Sequence, residues 1–234
     1  MNWHDVRVAA FATLALLGAG SSYPAGAALE MSKVIVDIAA DAPPRDDIEI
    51  FNSGDERLYV AVQPAEMIEP GMPGERRVES VDPAVTGLLT TPQKLVLEPG
   101  QRRLVRVAMV APRGTRERVY RLMIKPVAGD VTAARTSLKV FVGYDALILV
   151  RPTTNTGALT AVRTGRQVTF HNGTNSSVEL AEGTQCGPDA AACVKLPSKR
   201  LYAGADWTIP LERAAPVRYE VLGVRNATRI IETN

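Results

Sequence analysis

The stretch R-T-S-L-K-V-F-V-G-Y-D-A-L-I-L-V-R-P, Arg135 to Pro152, decides how the rest of the chain is read. Leu138, Val140 and Val142 alternate with Lys139 and Phe141, a period of two that belongs to a strand. Gly143 interrupts the pattern, which in a strand signals a bulge or a close backbone approach. The apolar run Ala146 to Val150 follows, and Arg151-Pro152 closes it. The whole is roughly three times the usual strand length. Such a strand outruns the sheet of one small domain. It crosses between sheets, reaches a second domain, or leaves an apolar edge open. An open apolar edge pairs with other chains, and a protein that keeps one can use it to bind strands.

Upstream, short alternating runs are separated by turn chemistry. Strands are expected over Leu29–Ile38, Ile48–Asn52, Leu58–Gln63, Thr91–Leu97, Arg103–Val110 and Val119–Val127. Asp41–Asp46 and Ser53–Glu56 read as turns, and Pro99-Gly100 as a type II turn. Pro64–Gly87 reads as a long connection carrying an irregular edge strand near Glu75–Val81, and Pro112–Glu117 as a basic loop. No segment reads as a helix. Strands with turns every eight to twelve residues, roughly, are the pattern of an immunoglobulin-like sandwich. The polar run after Arg151-Pro152 marks a domain boundary. Beyond it, shorter strands are expected at Leu159–Thr164, Gln167–His171, Ser177–Ala181, Lys195-Leu196, Asp206–Leu211, Val217–Val224 and Thr228–Glu232. The fold class expected is therefore all-β: two immunoglobulin-like β-sandwich domains joined by a short linker, spanning 29–152 and 153–234.

Residues 1–28 read as a secretory signal. Arg7 precedes a short apolar run, and Ala25-Gly26-Ala27 supplies an A-x-A cleavage pattern. The run is too short to span a bilayer. Export makes a disulfide between Cys186 and Cys193, the chain's two cysteines, the expected state. Their spacing fits no zinc site, and His171 is the one histidine beyond the signal.

Composition excludes several classes. A net charge of +2 is too balanced for a strong phosphate-neutralising face, so no nucleic-acid partner is expected. There is no G-x-S-x-G elbow and no phosphate-binding glycine loop. His171 therefore reads as structural, and no catalytic residue, metal, cofactor or small-molecule substrate is expected. Asn172, Asn175 and Asn226 fit the glycosylation sequon only as a local pattern.

Several pieces resemble the periplasmic pilus-assembly chaperones of the PapD-like type. L-E-P-G-Q-R-R-L-V-R-V at 97–107 is similar to that family's strand, PG turn and V-R strand. T-R-E-R-V-Y-R-L-M-I-K-P at 115–126 resembles its R-E-S-x-F segment, with Arg118 where serine is usual. The long strand ending in Arg151-Pro152 resembles its G1 strand and linker. With Lys33, the likeness covers Leu29 to Pro152, and it continues weakly through Asn172 and the two cysteines.

The resemblance implies a periplasmic chaperone, not an enzyme. It would hold fimbrial subunits by donor-strand complementation and pass them to an outer-membrane usher. Leu138, Val140 and Val142 would fill the subunit's groove. Lys33 would anchor the subunit's C-terminal carboxylate. The second anchoring cation falls at Leu147, a departure from the family. Arg106 and Glu117 would carry the family's interdomain ion pair. Self-association of the free chain stays open. The competing reading is a secreted structural or adhesive module of two immunoglobulin-like domains.

Overall fold

The computed structural model describes residues 29–127, 141–187, 193–213, 215–223 and 229–233. The expected signal at 1–28 and the donor positions Leu138 and Val140 lie outside the described residues.

The first sandwich is built from β1 (Leu29–Met31), β2 (Ile35–Ile38), β3 (Arg45–Asn52), β4 (Leu58–Ile68), β5 (Arg76–Glu79), α1 (Pro83–Thr86), β6 (Leu88–Thr91), β7 (Lys94–Leu97), β8 (Arg102–Met109), β9 (Arg118–Val127) and β10 (Tyr144–Val150). One sheet runs β1-β3-β8-β6. The other runs β2-β10-β9-β4-β5, with β7 also on β4. The second sandwich contains β11 (Leu159–Thr164), β12 (Gln167–Asn172), β13 (Val178–Cys186), β14 (Cys193–Lys195), β15 (Lys199–Leu201), β16 (Asp206–Pro210), β17 (Val217–Leu222) and β18 (Arg229–Thr233). Its sheets run β11-β12-β16 and β14-β13-β17-β18, with β15 on β13.

Period-two alternation explains each core. In β10, Ala146, Ile148 and Val150 enter the first core beside Val36, Val60, Leu122 and Ile124. Leu147 and Leu149 point to the opposite face, where they pack with Val119, Met67 and Tyr202 of the second sandwich. The second core centres on Phe170, Trp207 and Tyr219, with ring centroids 5.1–6.0 Å apart.

Three expectations about elements change. The strand expected over Leu29–Ile38 breaks at Ser32–Val34. There the Ser32 hydroxyl accepts from the Glu49 amide at 3.0 Å and ends the first ladder. As a result β1 pairs with β3 in one sheet, while β2 crosses to run parallel to β10 in the other. The connection after Pro64 is more ordered than its proline and glycine content suggests. It holds the end of β4, β5 and one helical turn, α1, with Asp82 capping the Ala84 amide at 2.9 Å and Pro83 opening it. Finally, the long strand is regular only from Tyr144 to Val150 among the described residues. A side chain at Gly143 would meet the Lys125 Cβ at 2.8 Å, so the close backbone approach expected there is present.

Both sandwiches close the same turn with a buried asparagine. Asn52 donates to the carbonyls of Glu56 and Leu97 and accepts from the Gly54 amide. Asn172 donates to those of Ser176 and Leu201 and accepts from the Thr174 amide. The Gly100 and Gly204 amides donate back to the carbonyls of Asn52 and Asn172. Both glycines hold positive φ, 72° and 82°, as the third position of a type II turn requires. The Pro99-Gly100 turn therefore forms as its sequence implies. The sequons at Asn172 and Asn175 lie inside the fold, since both side chains are buried.

Candidate functional site: an open strand edge above an interdomain cleft

The strand β10 is paired unequally on its two edges. On one side it matches β9 along its whole length, Tyr144 opposite Ile124 through Val150 opposite Arg118. On the other side β2 covers only Leu147 to Val150. The Leu147 amide donates to the Val34 carbonyl at 2.9 Å, and toward Tyr144 the ladder stops. Tyr144, Asp145 and Ala146 have no strand partner on this edge among the described residues. Apolar side chains surround the gap. Val142, Phe141, Ile35 and Val34 are exposed at 49%, 39%, 46% and 53%. Val142 is the one expected donor position among the described residues. It lies just before β10, with its side chain half in solvent.

A joint between the two sandwiches lies beyond the other end of β10. The Arg151 side chain is 8% exposed and forks onto both oxygens of Asp37 at 2.7 and 2.8 Å. Its Nη1 donates to the Glu117 carboxylate and to the Ser177 carbonyl, the latter at 2.8 Å. Glu117 is 2% exposed. Burial pushes its carboxyl above the usual range, against the pull of Arg151 and Ser177. Burial also opposes the charge on Arg151, but Asp37 and Glu117 outweigh it and hold the guanidinium above its ordinary value. Asn175 adds a second tie, donating to the carbonyls of Thr115 and Thr154 at 2.7 Å and accepting from the Thr156 amide.

This geometry corrects the ion pair expected between Arg106 and Glu117. Arg106 points outward from β8 and forks onto Asp47, its cross-strand partner on β3, at 2.8 Å. Glu117 turns inward to Arg151. The period-two pattern of β8 carried this information: Val105 and Val107 fill the core, so Arg106 must face away. Asp47 is held below its usual range by the hydrogen bond from Arg106.

The arginines of the basic loop are tied to main-chain carbonyls. Arg113 donates to the carbonyls of Ile38, Ala39 and Arg151. Arg116 reaches the Ala203 carbonyl at 3.1 Å. Arg118, at the place where the resemblance expects serine, bridges Glu66 and the Thr86 carbonyl. Arg113 and Asn175 are joint residues that no local pattern marked as such, because their side chains donate to main-chain carbonyls far away in sequence. Arg151, read from the sequence as the end of the strand, takes its carboxylate partners from segments equally distant.

Lys33 sits in the break between β1 and β2, and its ammonium contacts both oxygens of Asp46 at 2.8 and 2.9 Å. Leu147 is buried in the apolar cluster under Tyr202. A cleft of about 570 Å³ opens beside that cluster, lined by Met67, Arg77, Arg121, Asp145 and Tyr202 among others. Cys186 and Cys193 are disulfide-bonded at matching positions of β13 and β14. His171 pairs with Asp206 on the surface at 2.7 Å. Among the described residues no three His, Cys, Asp or Glu side chains gather as a metal site.

No family model and no curated protein matches the chain. Solved structures do. The class 5 fimbriae chaperone CfaA aligns with a TM-score of 0.65 at 21% identity, covering 88% of this chain and 99% of that one. The CupB2 chaperone of Pseudomonas aeruginosa aligns at 0.55 and 17%, covering 87% and 98%. A structure of the Salmonella enterica SafA pilin with the SafB chaperone aligns at 0.59 and 16%, covering 88% and 96%. The chain thus has the two-sandwich fold of fimbrial assembly chaperones along nearly their full length.

Proposed function

We propose that the protein is a periplasmic chaperone that holds an exported fimbrial subunit by completing its sheet, and that it hands the complex to an outer-membrane usher. The observation that carries this reading is the half-covered edge of β10, open from Ala146 back toward Val142 and bordered by exposed apolar side chains. Main-chain donors and acceptors on that edge can complete another chain's ladder. Leu138, Val140 and Val142 then supply alternate side chains to an apolar groove, and their burial contributes most of the affinity. The fold is shared with SafB, which was solved together with a pilin. Residues 1–28 serve as the export signal, and the boundary between the domains falls at Arg151-Pro152.

The role asks for no turnover. Lys33 is the anchor for the subunit's terminal carboxylate, exchanging Asp46 for it. The test is periplasmic co-purification of the full precursor expressed with its neighbouring genes. A stoichiometric complex with a small exported β-rich protein, lost in a folded Val140→Arg variant, supports the reading. A chain that purifies alone, or as a polymer of itself, favours a structural module instead.

A further inference from the structure

The tip of the β4–β5 hairpin, E-P-G-M-P-G-E at 69–75, is built more rigidly than a link between two strands requires. Two turns follow one another. The Met72 amide donates to the Glu69 carbonyl at 3.1 Å, and the Glu75 amide donates to the Met72 carbonyl at 3.0 Å. Pro70 and Gly71, the latter at φ 74°, take the central positions of a type II turn. The Gly71 amide donates across the tip to the Glu75 carboxylate at 2.6 Å. Glu69 holds φ 52°, an uncommon conformation for a residue other than glycine. Strain of this kind persists where the surrounding structure imposes it.

This tip reaches the second sandwich. A side chain on Gly71 would meet the Tyr202 ring at 3.1 Å and the Ala205 Cβ at 3.8 Å, so the bare glycine lets the backbone approach. The contact is otherwise thin. Among the described residues no hydrogen bond or ion pair joins 69–75 to the second sandwich. Cavities of about 570 and 510 Å³ flank it, and Met67, Pro70 and Tyr202 line both. Pro70 and Tyr202 therefore stand as a wall between two halves of one cleft.

The opposite edge of the same sheet is tied differently. The order β2-β10-β9-β4-β5 puts Asp37 and Arg151 at one edge and the hairpin tip at the other. At the first edge Arg151 binds Asp37, Glu117 and the Ser177 carbonyl, and Asn175 binds Thr115 and Thr154. Between the edges, Tyr202 rests on a small apolar cluster of Met67, Val119, Leu147 and Leu149. Arg116 adds an exposed hydrogen bond to the Ala203 carbonyl. Domains that share so small an apolar contact move relative to one another by default. A firm joint at one edge and a rigid arm in light contact at the other are the parts of a hinge and a latch.

We propose that the two sandwiches are hinged at Arg151 and latched at Gly71. With the tip seated on Tyr202 and Ala205, the cleft is divided and closed. When the tip lifts, the second sandwich turns about the Arg151 joint, and the two cavities join into one cleft beside β10. The motion belongs to the free chain and does not depend on what the open edge of β10 binds.

The test is nuclear magnetic resonance of the purified mature chain. The seated latch is read as nuclear Overhauser contacts between the Tyr202 ring and the Gly71 α-protons. Its lifting is read as microsecond-to-millisecond exchange by relaxation dispersion. That exchange is expected in both segments, 69–75 and 202–205, at one shared rate. Gly71→Cys combined with Ala205→Cys supplies a lock, because Cβ atoms 3.8 Å apart lie within disulfide reach. Non-reducing peptide mapping should find this bond in the folded chain, and the exchange should be lost from both segments. Absence of the Tyr202–Gly71 contacts in the wild type overturns the latch. Exchange that is missing from either segment, or unchanged in the cross-linked chain, overturns the motion and leaves a static brace. If the double variant does not fold, the wild-type contacts and exchange decide alone.

Discussion

Arg151 donates to the Ser177 carbonyl at 2.8 Å, a bond that crosses from the first sandwich to the second. The same guanidinium neutralises Asp37 and Glu117, so one side chain fixes three segments at the joint. Replacing it by alanine leaves Glu117 buried without a counter-charge. The expected loss is about 3–5 kcal/mol of stability. Lysine rescues little of it, because one ammonium cannot fork onto Asp37 while also reaching Ser177. Chemical denaturation checks both, and Glu117→Gln in the Arg151→Ala background should recover part of the loss.

The paired asparagines predict a domain-specific effect. Each buried amide makes three hydrogen bonds to main-chain groups. Asn52→Ala and Asn172→Ala should each cost about 2–4 kcal/mol, given about 1 kcal/mol per hydrogen bond plus the penalty for stranded carbonyls. Asn52→Ala should lower the unfolding of the first sandwich and Asn172→Ala that of the second, resolved by fluorescence of Trp207, which packs in the second core.

Tyr219 gives an alkaline signature. Its phenol is buried, donates to the Pro197 carbonyl at 2.9 Å, and is pushed up by burial to about 12. An unfolded tyrosine titrates near 10, roughly. The folded state therefore holds this proton more tightly. Its contribution to stability is complete below the unfolded pKa and is lost as pH rises toward the folded one. Absorbance at about 295 nm should show late-titrating tyrosines, one fewer in Tyr219→Phe, and the fall in wild-type stability above pH 10 or so should be shallower in that variant.

Lys33 and Asp46 form a half-exposed pair, so Asp46→Asn should change stability by less than about 1 kcal/mol. Freed from its internal carboxylate, Lys33 is expected to hold a captured subunit more tightly, seen as a slower dissociation rate. Lys33→Met should speed dissociation whether or not Asp46 is present.

The sequence revealed most of the strands, because core-facing Val, Leu and Ile recur every second residue and turns carry Asn, Gly and Pro. Gly143 and the Pro99-Gly100 turn were readable for the same reason. The break at Ser32–Val34 was not, since a side chain replacing a ladder bond leaves no apolar signature. Arg106 was given the wrong partner because ion pairs depend on which face a side chain takes and on strands distant in sequence. Leu147 was marked as out of place, but its role in the apolar joint depends on Tyr202, which only folding brings over it.

The central claim is that the open edge of β10 receives a strand. Residues alternate along a strand, and the Leu147 amide points to the β2 side, so the Asp145 amide points to the uncovered part of the same edge. Hydrogen exchange at the Asp145 amide, in the free chain and in the co-purified complex, tests the claim most directly. The account predicts fast exchange in the free chain and strong protection in the complex, with Leu147 protected in both. An Asp145 amide that exchanges equally fast in both states would contradict it.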